Sequence, residues 1–302
     1  LKRSVVGLAM LGAIVGGAVS GPLVRLALAL PSQPSPILIA AARQCMAAVV
    51  MLVVCLSRPE WRAQMKLQRR DILPVGVAGV LLGINFITWN IAAGSTTSFA
   101  ASLFLSSITL FVGLGAWAMG EKPGWRFAAG CLIALPGMLL MAGGGGDGEH
   151  SLRGDLYALA TALALTIYML CGRRVRKHMH LVPYTAWIYT ISAVVLLAAL
   201  PAMPGPTGPL GWQFFGLAAA MVLLCTFGNH SLTNFVLGHR PAHVAGMMSL
   251  GEPPVAALFG FIFFAQVPTG WAAVGGGVAL IGLLVAVWPK PEKAIRQPFT
   301  KS

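Results

Sequence analysis

Residues 242–266 read AHVAGMMSLGEPPVAALFGFIFFAQ, a run whose one acidic residue, Glu252, is followed at once by Pro253 and Pro254. At a rise of about 1.5 Å per residue, a helix of about 20 apolar residues crosses a bilayer core of roughly 30 Å. A plain membrane anchor has no need of a carboxylate or of two residues without a backbone N–H. The prolines remove the donors for the carbonyls four residues earlier, those of Ser249 and Leu250. In lipid such a gap is tolerated only where protein or a wet cavity covers it. The stretch therefore predicts a membrane helix that bends at Gly251–Pro254 and turns that bend toward the interior of a bundle.

The rest of the chain has the same character. Of its 302 residues 57% are hydrophobic and 10% charged, against about 25% charged in an average soluble domain. Ten apolar runs are legible: 4–28, 36–56, 72–93, 97–119, 125–142, 154–172, 182–200, 213–237, 241–265 and 269–288. The expected fold class is an all-α membrane protein of ten transmembrane helices.

The net charge of +13 would suggest nucleic acid in a soluble chain, but its distribution points to lipid instead. With a cytoplasmic N-terminus, only Arg25, Arg43 and Arg153 of the 21 Lys and Arg fall outside the inner segments and their edges. The outer loops, among them PSQPS, GSTTS and GGGGDGEHSLRGD, are almost free of basic residues. The positive-inside rule then places both termini in the cytoplasm. The apolar stretch at the N-terminus continues to Leu30, longer than the usual 7 to 15 residues or so of a signal-peptide core, and is expected to be a retained first span.

Several chemistries are not expected. Cys45, Cys55, Cys131, Cys171 and Cys225 all lie within spans without a CxxC pair, so no disulfide, metal or cofactor frame is implied. There is no GxxxxGK[ST] loop for nucleotide phosphates and no HExxH or GxSxG, and no enzyme is read from the chain. His178 and His180, in the basic segment RKHMH, read as solvated.

The chain is also written twice. Gly7, Arg25 and Pro36 find Gly154, Arg173 and Pro183 at shifts of 147, 148 and 147, and Asn85, Asn90 and Gly94 find Asn229, Asn234 and Gly238 at 144. Trp125 and Gly130 find Trp271 and Gly276 at 146. A repeat of five spans must insert its second copy upside down, so the expectation is two inverted five-helix repeats, residues 1–146 and 147–302. Small-xxx-small pairs such as Gly12 with Gly16 and Gly79 with Gly83 favour close helix packing.

Residues 98–141 (SFAASLFLSSITLFVGLGAWAMGEKPGWRFAAGCLIALPGMLLM) and 242–285 share a small-residue helix start and a glycine-rich last span. The first closes its fourth span on Gly120-Glu121-Lys122, and the second carries Glu252-Pro253. Together they resemble the two EamA-type repeats of the drug/metabolite transporter superfamily, over essentially all of residues 4–288. The chain departs from that pattern at Thr109, which stands where a proline opposite Pro253 is expected. The resemblance implies a ten-helix exporter of metabolites in a bacterial inner membrane, looking first like the aromatic amino-acid exporters. It implies a small-molecule substrate, membrane lipids as surroundings, no nucleic acid, and compatibility with a monomer. Export of cationic drugs or nucleotide-like metabolites is the alternative; a membrane-embedded enzyme or receptor is the rival outside transport.

Polar residues at membrane depth supply the candidate site. Arg43 lies about 10 Å from the outer end of the second span and Glu252 about 16 Å from the inner end of the ninth, counted at the helical rise. Within a core of about 30 Å the two fall at similar depths. Either they pair with each other, or they meet the ionic groups of a substrate, with Glu252 able to exchange a proton. Asn85, Asn90, Asn229 and Asn234 must find partners or water, on neighbouring helices or on a ligand. Trp89 shares a helix face with Asn85, and His230 stands four residues before Asn234. Tyr168 and Trp187 are further candidates for an aromatic wall. Ser95, Ser98, Ser102, Ser106 and Thr109 form one stripe on the fourth helix, either joining helices or lining a path.

Overall fold

The computed structural model describes residues 3–118, 125–143, 151–203, 205–240, 245–246, 248–267 and 270–287. Gly120, Glu121, Lys122, the linker around Gly146 and the basic residues from Lys290 onward lie outside them. All regular structure among the described residues is helical. In chain order the helices are α1 (Arg3–Ala18), α2 (Ser20–Leu28), α3 (Pro36–Leu56), a short α4 (Pro59–Ala63), α5 (Arg69–Ser95), α6 (Ser98–Leu105) and α7 (Ile108–Ala118). They continue with α8 (Trp125–Gly143), α9 (Leu152–Val175), α10 (Leu181–Ala199), α11 (Trp212–Met221), α12 (Leu232–His239), α13 (Glu252–Phe264) and α14 (Gly270–Val287).

Local chemistry explains many of the boundaries. Ser35 caps α3 by accepting from the Leu38 N–H at 3.3 Å, with Pro36 as first residue. Thr97 caps α6 through the Ala100 N–H and Ser151 caps α9 through the Gly154 N–H. Each hydroxyl satisfies a donor that the first helical turn leaves open.

Seven stretches among the described residues are long and apolar enough to cross a membrane: Ser4–Leu28, Pro36–Leu56, Arg69–Ser95, Ser98–Gly115, Leu152–Val175, Leu181–Ala202 and Trp212–His239. Three shorter apolar helices, Trp125–Leu140, Met248–Phe264 and Ala273–Val285, stand where the fifth, ninth and tenth spans are expected. Leu8, Leu73, Leu132 and Leu139 point outward, while Arg43, Gln44, Asn85, Asn90, Thr226, Asn234 and Glu252 are buried. Apolar outside and polar inside is the arrangement that a hydrocarbon solvent selects.

Six helix pairings dominate: α8 with α14, α5 with α9, α3 with α10, α5 with α10, α6 with α13, and α1 with residues 222–231. Each joins one helix before residue 143 to one after 152. The crossing of α8 and α14 brings backbone against backbone. A Cβ on Gly137 would meet the Ala279 nitrogen at 2.5 Å, and one on Gly282 would run into the backbone of Ala134.

One span is interrupted as its prolines predict, and two are interrupted without any proline. Glu252 begins α13 after a turn of 3-10 helix at Met248–Gly251. The Ser249 carbonyl, freed by Pro253, accepts from the Ser106 hydroxyl at 2.6 Å, and the Thr109 hydroxyl donates to the Gly246 carbonyl at 3.2 Å. Thus Ser106 and Thr109 join helices. Their own span, expected as one helix over 97–119, is broken between Leu105 and Ile108. There the Ser106 and Ser107 hydroxyls take the Ser102 and Phe104 carbonyls within the same chain segment, a competition with the helical ladder. No proline is needed. Between α11 and α12 the chain is wound as π-helix over Val222–Ser231.

Candidate functional site

Arg43 on α3 is 1% exposed. Its Nε donates to Thr226 Oγ1 at 2.8 Å, a second guanidinium nitrogen reaches Ser20 Oγ at 3.4 Å, and the group lies 4.5 Å from the centre of the Phe86 ring. Ser20 also accepts from the Trp89 indole N–H at 3.0 Å. One guanidinium thus ties together α2, α3, α5 and the π-wound segment.

Glu252 lies across the same cavity, whose walls include Gly16, Gly17, Ser20, Arg43, Asn85, Phe86, Trp89, Thr161, Asn229 and His230. The two charges form no ion pair with each other; among the described residues the side-chain hydrogen bond to the Glu252 carboxyl comes from Asn229. Asn229 also donates to the Ala13 carbonyl at 2.7 Å. The direct Arg43–Glu252 pair considered from sequence is therefore not formed: Thr226, Ser20 and Phe86 satisfy the guanidinium instead.

Gly17 makes this geometry possible. A Cβ there would meet Asn229 Nδ2 and the Glu252 carboxyl carbon, each at 2.6 Å. Gly16, which sequence pairs with Gly12 as a packing signal, lines the same wall.

A second cavity shares Asn229, His230 and Glu252 and continues to Tyr168, Thr233, Met248 and Ser249. His230 stands edge-on between the Phe86 ring, 5.1 Å away, and the Tyr168 ring, 6.3 Å away. The two cavities together thus bring Arg43, Asn85, Trp89, Tyr168, Asn229, His230 and Glu252 to one place.

The remaining sequence candidates stand elsewhere. Asn90 and Asn234 are fully buried and fold back on their own helices, donating to the Phe86 and His230 carbonyls four residues earlier. Asn234 also donates to the Tyr168 hydroxyl. Ser102 is buried and gives its carbonyl to Ser106. Trp187 lines neither cavity; its indole N–H donates to the Met65 carbonyl at 3.1 Å. His178 and His180, read as solvated, are both exposed and also hold partners: His178 the Asp71 carboxylate at 3.0 Å, and His180 the Trp61 ring on which it stacks.

Sequence reading missed Ser20, Phe86, Thr161 and Thr226. A lone hydroxyl or phenyl ring inside an apolar span carries no pattern of its own, and only the guanidinium across the bundle singles these residues out.

Comparison with known proteins agrees with this architecture. The profile of the EamA-like transporter family matches twice, over residues 5–143 and 152–288. The Bacillus subtilis (strain 168) protein called uncharacterized transporter YdfC is 27% identical over 223 residues, 71% of each chain. The probable terminal-alkyne amino-acid exporter of Streptantibioticus cattleyicolor is 25% identical over 61% of this chain and 62% of its own. The threonine/homoserine exporter RhtA of Escherichia coli (strain K12) is 27% identical over 46% of each. A crystal structure 20% identical in sequence matches with a TM-score of 0.67 over 94% of this chain and 98% of that one, a likeness of fold. With its profile matched across both halves and its polar residues gathered inside a helical bundle, the chain belongs to the EamA-like transporter family of the drug/metabolite transporter superfamily.

Proposed function

We propose that the protein is a secondary transporter that exports amino acids from the bacterial cytoplasm by alternating access through the central cavity. The observation that carries this reading is Arg43 and Glu252 on the walls of one cavity without pairing to each other. A zwitterion presents a carboxylate and an ammonium, which suit those two groups. The Asn85 amide, the Trp89 and Phe86 rings and His230 between them offer polar and apolar surface to the rest of the solute. Relatives named for export of threonine and homoserine, or of a terminal-alkyne amino acid, support the substrate class. The preference for aromatic side chains rests on resemblance to that exporter branch.

One observation favours a second reading. The Arg43 guanidinium is engaged by Thr226, Ser20 and Phe86, so that Glu252 alone could face the solute; a cation would then be exported. Purified protein in liposomes, offered labelled amino acids and organic cations with and without a pH gradient, separates the two. Uptake of amino acids without competition by organic cations is the expected result. Glu252→Gln is expected to lower transport at every pH gradient; loss of the gradient dependence alone, with flux retained, would instead make Glu252 a proton carrier.

The architecture proposed with this function has ten spans in two inverted repeats, with both termini in the cytoplasm. The double profile match and the six pairings between halves support it. Arg176, which sequence places in an inner loop, is buried and is a poor reporter of sidedness. Single cysteines at Lys66 and Lys177 are expected to resist impermeant thiol reagents added to intact cells, and one at Gly146 to react.

A further inference from the structure

On the face that bears Lys66, Arg69, Arg70, Arg173, Arg174 and Lys177, the segment from Trp61 to Asp71 grips the segment from Arg176 to Trp187. Four contacts make the grip. The Asp71 carboxylate, 5% exposed, holds the His178 ring nitrogen with both oxygens at 3.0 Å. The Gln64 side-chain oxygen accepts the His180 N–H at 2.8 Å, and the Met65 carbonyl accepts the Trp187 indole N–H at 3.1 Å. The Trp61 ring stacks on His180 with 5.4 Å between centres.

These contacts are not local. Asp71 and His178 are 107 residues apart, and the two segments belong one to each half of the chain. On the opposite face the corresponding connections also meet, where the Thr207 N–H and hydroxyl both go to the Ser32 carbonyl, at 2.9 and 3.4 Å, and neighbouring loops join the halves there through the Thr96 hydroxyl to Asp155 at 3.2 Å and the Ser98 N–H to Gln266 at 3.3 Å.

The grip is wired to the cavity wall. Arg176 donates to the Met179 carbonyl, beside His178, and through Nε to the Asn234 carbonyl at 3.1 Å. The Asn234 amide in turn donates to the Tyr168 hydroxyl, and Tyr168 lines the second cavity against His230. Each link is a hydrogen bond to a buried group, so that moving Tyr168 or residues 230–234 pulls on the loop that carries His178.

We propose that the contact of Trp61, Gln64, Met65 and Asp71 with His178, His180 and Trp187 is a latch that keeps this face of the bundle closed and must part once in each transport cycle. The proposal rests on the transporter reading above. Release would let α9 and α10 move from α5, opening the cavity beside Thr233.

Two measurements test it. In a cysteine-free background, Thr233→Cys reports the second cavity through its rate of modification by a polar thiol reagent in detergent. His178→Ala, at an exposed position, and Asp71→Asn are each expected to raise that rate about tenfold, the population change for losing a charge-assisted hydrogen bond made in only one of two states. Unchanged rates in both variants would overturn the latch. Separately, Gln64→Cys with His180→Cys, joined by a cleavable thiol cross-linker, is expected to stop transport reversibly, and full transport by the cross-linked protein would also overturn it. The labelling experiment needs no solute. If labelling responds while no solute is ever carried, the latch stands and the transport reading falls.

Discussion

Helix α5 and the stretch from α11 to α12 carry the same pair of amides, five residues apart, and use them differently. In α5 the backbone is regular α-helix from Arg69 to Ser95; Asn85 faces the cavity with no side-chain bond to protein among the described residues, and Asn90 folds back on Phe86. Between α11 and α12 the backbone is π-wound over Val222–Ser231, and Asn229 is held by the Ala13 carbonyl while it supports Glu252. Only the second amides agree, since Asn234 folds back on His230 as Asn90 does on Phe86. Wider π turns are costly for the ladder and cluster at functional sites. Here they come with outside claims on the backbone and side chains: the Tyr189 hydroxyl takes the Thr226 carbonyl at 3.3 Å and Arg43 takes the Thr226 hydroxyl. Equivalent sequence positions have thus become a free amide on one side and a supporting one on the other.

The largest effect is expected where both spans meet, at Arg43, which touches Phe86 in one and Thr226 in the other. Arg43→Gln should remove about 2–3 kcal/mol of stability, the usual worth of hydrogen bonds to a charged group. Because Glu252 is not its ion-pair partner, adding Glu252→Gln should not restore melting temperature. Recovery in the double variant, read by thermal unfolding in detergent, would reinstate the pair.

Next comes Gly16, whose Cβ would run into the Leu224 carbonyl of the π-wound segment. Gly16→Ala is expected to destabilise by about 1–3 kcal/mol, as overpacking does; unaltered thermal unfolding would mean that α1 does not sit tightly on that segment.

The amides sharpen the contrast directly. Asn229→Ala should lose about 1–2 kcal/mol of stability together with transport, since it removes the side-chain bonds to the Ala13 carbonyl and to Glu252. Asn85→Ala should melt like the parent and raise the solute concentration for half-maximal transport about tenfold, which corresponds to about 1.4 kcal/mol. Equal melting temperatures for both variants would erase the distinction.

The smallest effect is expected at Gly76 in α5, around which a Cβ would find nothing within 4 Å. Gly76→Ala should raise stability by up to about 1 kcal/mol through helix propensity alone. A loss there would show that α5 is more crowded than α1's contact with the π-wound segment.

Much of this was legible in the residues themselves. Charge depletion and run length mark the helices, and Pro253 and Pro254 mark the orphan carbonyl that Ser106 meets. Buried polarity picks out Arg43, Asn85, Asn229 and Glu252. What stayed hidden depends on a partner far away in the chain. The 3.6-residue stripe runs unbroken through Ser102, Ser106 and Thr109, so the break after Leu105 needs the Ser249 carbonyl to be seen. The π winding has no residue signature that would separate Val222–Ser231 from an ordinary span. Arg176, His178 and Trp187 were read from local surroundings, as loop, solvated ring and aromatic wall; the contacts that define them come from residues 64–71 and 234.

The pairing of helices across the chain has a consequence for assembly. α1, α3, α5, α6 and α8 each find their main neighbour after residue 152, so the first half buries few of its apolar faces by itself. Released from a ribosome alone, residues 1–146 would present five unmatched surfaces to the bilayer and would wait for the second half before closing. Two fragments cut in the linker and made in the same cell therefore have a template in each other.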